Sequence, residues 1–228
     1  MKSVVAGVIA LAIAAGGWLG WNRYESNKEV DAVAQAIQTS AAQTERQMGA
    51  RTEDGITFAE YFKRSGATIE SLDKEIAALE MRSWKHKLSE RDIAITFIDQ
   101  CKAIIRSDQA DARLLMKKDS AQEAYDDAQR DLKEADSTHA IDWALKRYQR
   151  KSDELLGVLS EQIKHTEDSV GTVEKMIAAD AAVKAVLGSG KGLTQVSLDK
   201  LKSYIEPDKA DNTKENVKTQ RKDKSAAS

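Results

Sequence analysis

The sequence predicts an all-α fold. An N-terminal membrane helix continues into an antiparallel four-helix bundle or coiled coil with a projecting two-helix tip, and a disordered tail follows. Three observations lead there. Ala, Glu, Lys, Leu and Arg make up more than two-fifths of the 228 residues, close to the composition of long helices and coiled coils. The chain has 1 proline, Pro207, so nothing earlier forces a helix to break or kink. Apolar and small residues recur at alternating spacings of three and four over most of the chain, the pattern of packed helices. Aromatic residues make up only 5%, too few for the core of a sandwich or barrel.

The first element is the segment Val4 to Trp21, which carries no charge. As a helix it spans about 27 Å, just under the ~30 Å of a hydrocarbon core. Trp18, Trp21 and Tyr24 gather at its C-terminal end, where amphipathic rings favour the membrane interface, and Arg23 follows. Gly16 and Gly20 form a G-x-x-x-G pair of the kind that packs membrane helices, although small residues are common in such segments. A cleaved export signal is the rival reading, with Lys2 as a short basic region and Ala12-Ile13-Ala14 before a cleavage site. Apolar character continues to Trp21 without a polar break, which favours an uncleaved anchor over 1–21. Lys2 on one side and Arg23 with Lys28 on the other do not decide the orientation. The likeness to an export signal points to a single-pass protein with a cytoplasmic N-terminus and an exported, periplasmic-type body.

Residues 22–187 read as the helical domain. The first row is Val30, Ala34, Ile37, Ala41, Thr44 and Met48, broken by the turn at 49–55. Thr57 followed by Glu60 is a capping-box pattern, and it opens a row from Phe58 through Phe62, Ser65, Ile69, Leu72 and Leu79 to His86. Ser89 with Asp92 marks a third start, with Phe97, Cys101, Ile104, Ile105, Ala112, Tyr125, Ala128 and Leu132 on one face. A turn at 136–139 precedes the fourth helix, whose row is Ile141, Leu145, Tyr148, Ser152, Leu155, Leu159, Ile163, Thr166, Val170, Val173 and Ile177. Residues 188–205 form a Gly-rich linker and one short helix. From 206 to 228 the chain is highly charged and poor in apolar residues, so disorder is expected.

Lengths and charges set the arrangement. The third and fourth helices exceed the first two, so their hairpin projects past the first turn. Folding it about residue 137 places Asp127 opposite Arg147, Asp126 opposite Tyr148 and Glu123 opposite Lys151. The acidic stretch Glu123, Asp126, Asp127 thus faces the basic stretch Lys146, Arg147, Arg150, Lys151, a pattern that helps to set register. A second basic stretch, Arg82, Lys85, Lys87 and Arg91 with Trp84, falls where the second helix returns to the membrane. It is a candidate contact for anionic headgroups; its alternative is an ordinary charged turn.

Chemistry is sparse. The formal net charge of −2 lacks the basic excess that nucleic-acid binding requires. Cys101 is the 1 cysteine, so no intramolecular disulfide forms. Gly188-Ser189-Gly190-Lys191-Gly192 is no phosphate loop, because Ala185 and Gly192 stand where a Gly and a Ser or Thr are needed. The histidines, His86, His139 and His165, belong to no Glu-x-x-His motif of a di-iron bundle. No nucleophile arrangement is legible. The sequence therefore predicts neither enzyme nor cofactor. It predicts a membrane-tethered coiled-coil protein acting as scaffold, spacer or assembly factor in a bacterial-type envelope. Its expected partners are membrane lipid through the N-terminal helix, an unidentified protein, and a second copy through exposed seam positions. The alternative is a soluble exported helical subunit or adhesin released by cleavage.

Overall fold

The computed structural model describes residues 2–51 and 53–205, with side chains from Arg23 onward. The predicted tail at 206–228 lies outside those residues. Five helices account for almost all of the described chain: α1 Lys2–Ala50, α2 Phe58–Met81, α3 Leu88–Glu134, α4 Thr138–Leu187 and α5 Gln195–Ile205. No strand occurs among the described residues. Among them, no helix is long and apolar enough to cross a membrane. The apolar segment on which the predicted membrane helix rests, Val4 to Trp21, lies outside the residues whose side chains are described.

The helix boundaries follow local chemistry. Thr57, extended at φ −86° and ψ 155°, caps α2 by accepting a hydrogen bond from the Glu60 N–H at 3.2 Å. Ser137 caps α4 in the same way, from the Ala140 N–H at 3.3 Å. Gly188 ends α4 at φ +95°, a conformation open to glycine, with its N–H bonded to the Lys184 carbonyl at 3.1 Å. Two expectations shift. α2 stops at Met81, and Ser83 and His86 lie exposed outside it. The predicted cap Ser89 sits within α3, whose N-cap Lys87 makes no side-chain capping bond.

α1, α2, α3 and α4 bury one core around Val33, Ile37, Leu72, Phe97, Ile98 and Met176, all fully enclosed. α5 closes its lower side with Leu198 and Leu201. A smaller cluster of Ala50, Tyr61 and Ala112 lies under the α1–α2 turn. Two polar pairs at different levels of α2 sit beside these clusters, where Gln109 donates to the Ser65 hydroxyl at 2.7 Å and Gln43 to the Ser71 hydroxyl at 3.0 Å. Such pairs help to fix register, since their partners meet in only one alignment.

Rotation about the helix axes departs from the sequence reading. In α1 the enclosed row is Glu29, Val33, Ala36, Ser40, Thr44 and Gln47, with Ile37 and Ala41 buried beside it. Val30 and Ala34 are only half-buried. α1 packs against both α2 and α3, so it buries two adjacent rows rather than one. In α2, Tyr61 is enclosed and Phe62 half-buried, because the Tyr61 hydroxyl finds an acceptor in Asp108.

Candidate functional site

The connection between α2 and α3 carries the first candidate, the basic stretch. Arg82 turns extended (φ −72°, ψ 138°) and ends α2, and the chain folds back onto α1. There a single buried carboxylate receives it. Glu29, 4% exposed, accepts the backbone N–H groups of Lys85, His86 and Lys87, each at 2.9 Å. Burial alone would raise the Glu29 pKa. The three backbone donors, with the neighbouring His86, outweigh that and hold it below the ordinary carboxylate range. Glu29 thus anchors the α2–α3 connection to α1 just ahead of the first turn of α3.

The basic side chains of this stretch find partners within the chain. Lys85 Nζ bonds Glu25 at 3.1 Å, and Arg82 donates to the Lys28 carbonyl at 3.1 Å while stacking over Trp84. Lys87 pairs with Glu90 at 2.7 Å and Arg91 with Asp92 at 2.7 Å. Trp84 packs against the core and donates its indole N–H to the Leu79 carbonyl at 2.6 Å. Arg82 and Lys85 keep their solvent exposure. The stretch therefore docks on α1 beside Glu25 and Glu29, about 6 Å along the helix from Trp21.

The second candidate is the tip, formed by α3 beyond Leu115 and α4 before Gln162. Among the described residues these two helices alone make it, over about 28 Å. Tyr125 and Tyr148 share a hydrogen bond at 2.8 Å across the hairpin, with ring centroids 5.2 Å apart. That matches the expected alignment to within one residue. The long side chains do not follow it. Arg147 pairs with Asp131 rather than Asp127, and Lys117 reaches Glu161 at 3.1 Å. The reason is geometric. Side chains on a helix lean towards its N-terminus, which for α4 is the tip and for α3 the base. Arg147 therefore reaches one turn tipwards, and Lys117 leans basewards. Asp127 bonds Arg130 on its own helix at 3.2 Å, Asp126 accepts from Gln122 at 2.9 Å, Lys146 pairs with Asp142 at 2.8 Å and Lys151 with Glu154 at 2.5 Å. Glu123 and Arg150 point to solvent.

Sequence reasoning missed three features. A cleft of about 190 Å³ opens between α3, α4, α5 and the end of α1. Its charged wall is already engaged, since Arg51 pairs with Asp111 and lies 3.4 Å from Asp108. Burial opposes the charge on Arg51, but the two aspartates outweigh it and keep the guanidinium protonated. Burial and the hydrogen bond to Asp108 push the Tyr61 hydroxyl well above the usual phenol range. The network is thus a lock between the α1–α2 turn and α3. A second lock sits at the end of α4, where Asp180, 2% exposed, accepts the Leu193 N–H at 2.7 Å. Lys184 pairs with Asp180 at 2.7 Å and donates to the Leu193 carbonyl at 2.9 Å. The third is Glu29 itself. Its signal was present as a carboxylate in the enclosed heptad row of α1, one position before the row the apolar residues suggest.

Cys101 is buried, and burial pushes its thiol up to about 12. A thiol so held is a small core side chain, not a nucleophile. His165 lies in the α3–α4 seam against the Ser107 carbonyl at 3.1 Å. Among the described residues, no group of three or more His, Cys, Asp or Glu is placed to hold a metal. Comparison with protein-family models, with curated proteins and with solved structures finds no match.

Proposed function

We propose that this chain is a membrane-tethered spacer that presents a two-helix tip at a distance from a bilayer and works through helix–helix contacts. One observation carries the reading: α1 is continuous from Lys2 to Ala50, and its later part supplies Val33 and Ile37 to the core. An apolar segment ahead of Trp21 is then coupled to the bundle through helix, without a flexible joint. The docking of 82–87 on Glu25 and Glu29 stiffens α1 where it would leave the membrane. The exposed Arg82 and Lys85 face the level of the headgroups in this arrangement. The tether, the exported orientation and the assembly role are parts of one proposal.

The experiment is membrane fractionation of the full chain with an alkaline wash, followed by N-terminal sequencing. Retention in the washed pellet with Met1 or Lys2 at the N-terminus is the expected result. A washed-off protein that keeps its N-terminus overturns the tether. One further observation supports the alternative of a released subunit. Every described core contact begins at or after Glu29, so cleavage after Ala14 would leave the bundle complete. An N-terminus at Ala15 with the protein in the soluble fraction selects that alternative.

A further inference from the structure

Among the described residues one row of α4 stays largely exposed, and its spacing is that of a seam for a further helix. The row of α4 that meets α3 includes Ala144, Tyr148, Leu155, His165 and Ser169, all buried or half-buried. One residue further on runs a second row, from Leu145 to Val170, with the same alternation of four and three. This second row is the more apolar of the two, yet Leu145 is 42% exposed, Leu156 58% and Ile163 64%. A seam of this regularity is what a further helix packs against.

We propose that two copies of this chain pair antiparallel along this second α4 row, so that the two hairpins overlap as four helices over residues 145–170. A two-fold axis between Leu156 and Leu159 sets four complementary layers. Leu156 meets the partner's Leu159, Ser152 the partner's Ile163, Gln149 the partner's Thr166 and Leu145 the partner's Val170. Small faces large in one layer, polar faces polar in another, and apolar faces apolar in the remaining two. The axis repeats each layer once, which makes the interface isologous and closed.

Charge favours the same orientation. The N-terminal part of the row is flanked by Lys146 and Arg150, the C-terminal part by Glu161, Glu167 and Asp168. Antiparallel pairing sets the basic end of one copy against the acidic end of the other, and Lys146 comes beside the partner's Glu167. Parallel pairing would stack basic on basic and acidic on acidic. Among the described residues Lys146 pairs with the exposed Asp142 one turn away, a weak contact that it can exchange.

Antiparallel pairing points the two N-terminal segments in opposite directions, so two copies tethered as in the proposed function meet from facing bilayers. The pairing rests on that reading only in treating α4 as the working face. Its test is therefore separate from fractionation: the oligomeric state of the full chain by sedimentation at tens of micromolar, in a detergent that keeps it dispersed. The expected result is a dimer, reduced to monomer by the pair Leu156→Asp and Ile163→Asp with unchanged helical circular dichroism. Both positions are exposed in the protomer, so the variant keeps its fold. Lys146→Glu is expected to weaken the dimer several-fold, and adding Glu167→Lys to restore it. A monomeric native chain overturns the proposal, as does a dimer indifferent to the 156/163 pair, which would place association elsewhere in the chain. A dimer sensitive to 156/163 but not restored by the charge swap overturns the antiparallel register.

Discussion

The base of the bundle and its tip are built from the same two helices and held in different ways. At the base, α3 and α4 meet α1, α2 and α5, and Phe97, Ile98, Cys101 and Met176 are fully enclosed. Towards the tip the same helices have only each other, and the fully buried hydrophobic side chains there are Ala128 and Ala144. The seam between them holds Tyr125 and Tyr148 hydrogen-bonded to each other, with Lys151 and Gln162 half-buried. A two-helix seam can enclose only a narrow line of side chains, whereas four helices enclose a volume. The base draws its stability from area removed from water. The tip draws alignment from polar partners that contribute little each. Function can therefore reside in the tip without endangering the fold, since changes there leave the core intact.

The sharpest way to break the contrast is to make the same kind of change in each part. Phe97→Ala opens a cavity in the four-helix core and is expected to cost about 3–5 kcal/mol, read as a lower urea midpoint. Leu155→Ala, half-buried in the tip seam, should cost far less under the same conditions. Comparable losses at the two positions would mean that the tip is as tightly packed as the base.

Next in size is Glu29. The substitution Glu29→Gln leaves a neutral acceptor for three backbone donors, and a loss of roughly 2–3 kcal/mol is expected. The sign with pH is fixed by the direction of its shift. Its folded pKa lies below the ordinary value of about 4.3, so its contribution is complete above that value. It fades as pH falls through the folded pKa. The stability difference between the native chain and the Glu29→Gln variant should thus be constant near neutrality and shrink in acid, below about pH 4.3. A difference that does not narrow there would show that the carboxylate charge is not what holds the 82–87 connection.

Gly192→Ala tests the lock at the base of α4. Gly192 has φ +87°, and a Cβ there would overlap Asp180 Oδ1. The strain and the displaced carboxylate should cost about 1–3 kcal/mol, with faster amide exchange across α5 as the local signature. Smallest is Tyr125→Phe, which removes the cross-hairpin hydrogen bond. Amide exchange should rise in the tip alone, at unchanged global urea midpoint. If the midpoint drops as well, the tip and base form a more cooperative unit than their packing implies.

These outcomes bear on how far the sequence can be read. The cap at Thr57 was legible because a hydroxyl three residues before a free N–H is a local pattern, whereas at 136–139 only the turn was. The projecting hairpin was legible from relative helix lengths, and its alignment from the place of the turn, to within a residue at Tyr125 and Tyr148. Arg147 was assigned to Asp127 because alignment was counted between backbones. Its true partner, Asp131, follows from the lean of side chains towards each helix's own N-terminus.

What the sequence by itself determined is the run of helices, their breaks and the existence of a seam in each, because spacing and capping act within a few residues. Only the tertiary structure decided which of two adjacent rows each helix buries. A heptad pattern fixes a face to within one residue, and the final rotation is chosen by how many neighbours share it: two for α1, one for the tip of α4. It also decided that Glu29 would anchor a connection more than fifty residues away, that Asp180 would hold Leu193, and that Leu145, Leu156 and Ile163 would stand exposed. Each of these joins groups distant in the chain, and no spacing rule reaches across such a gap.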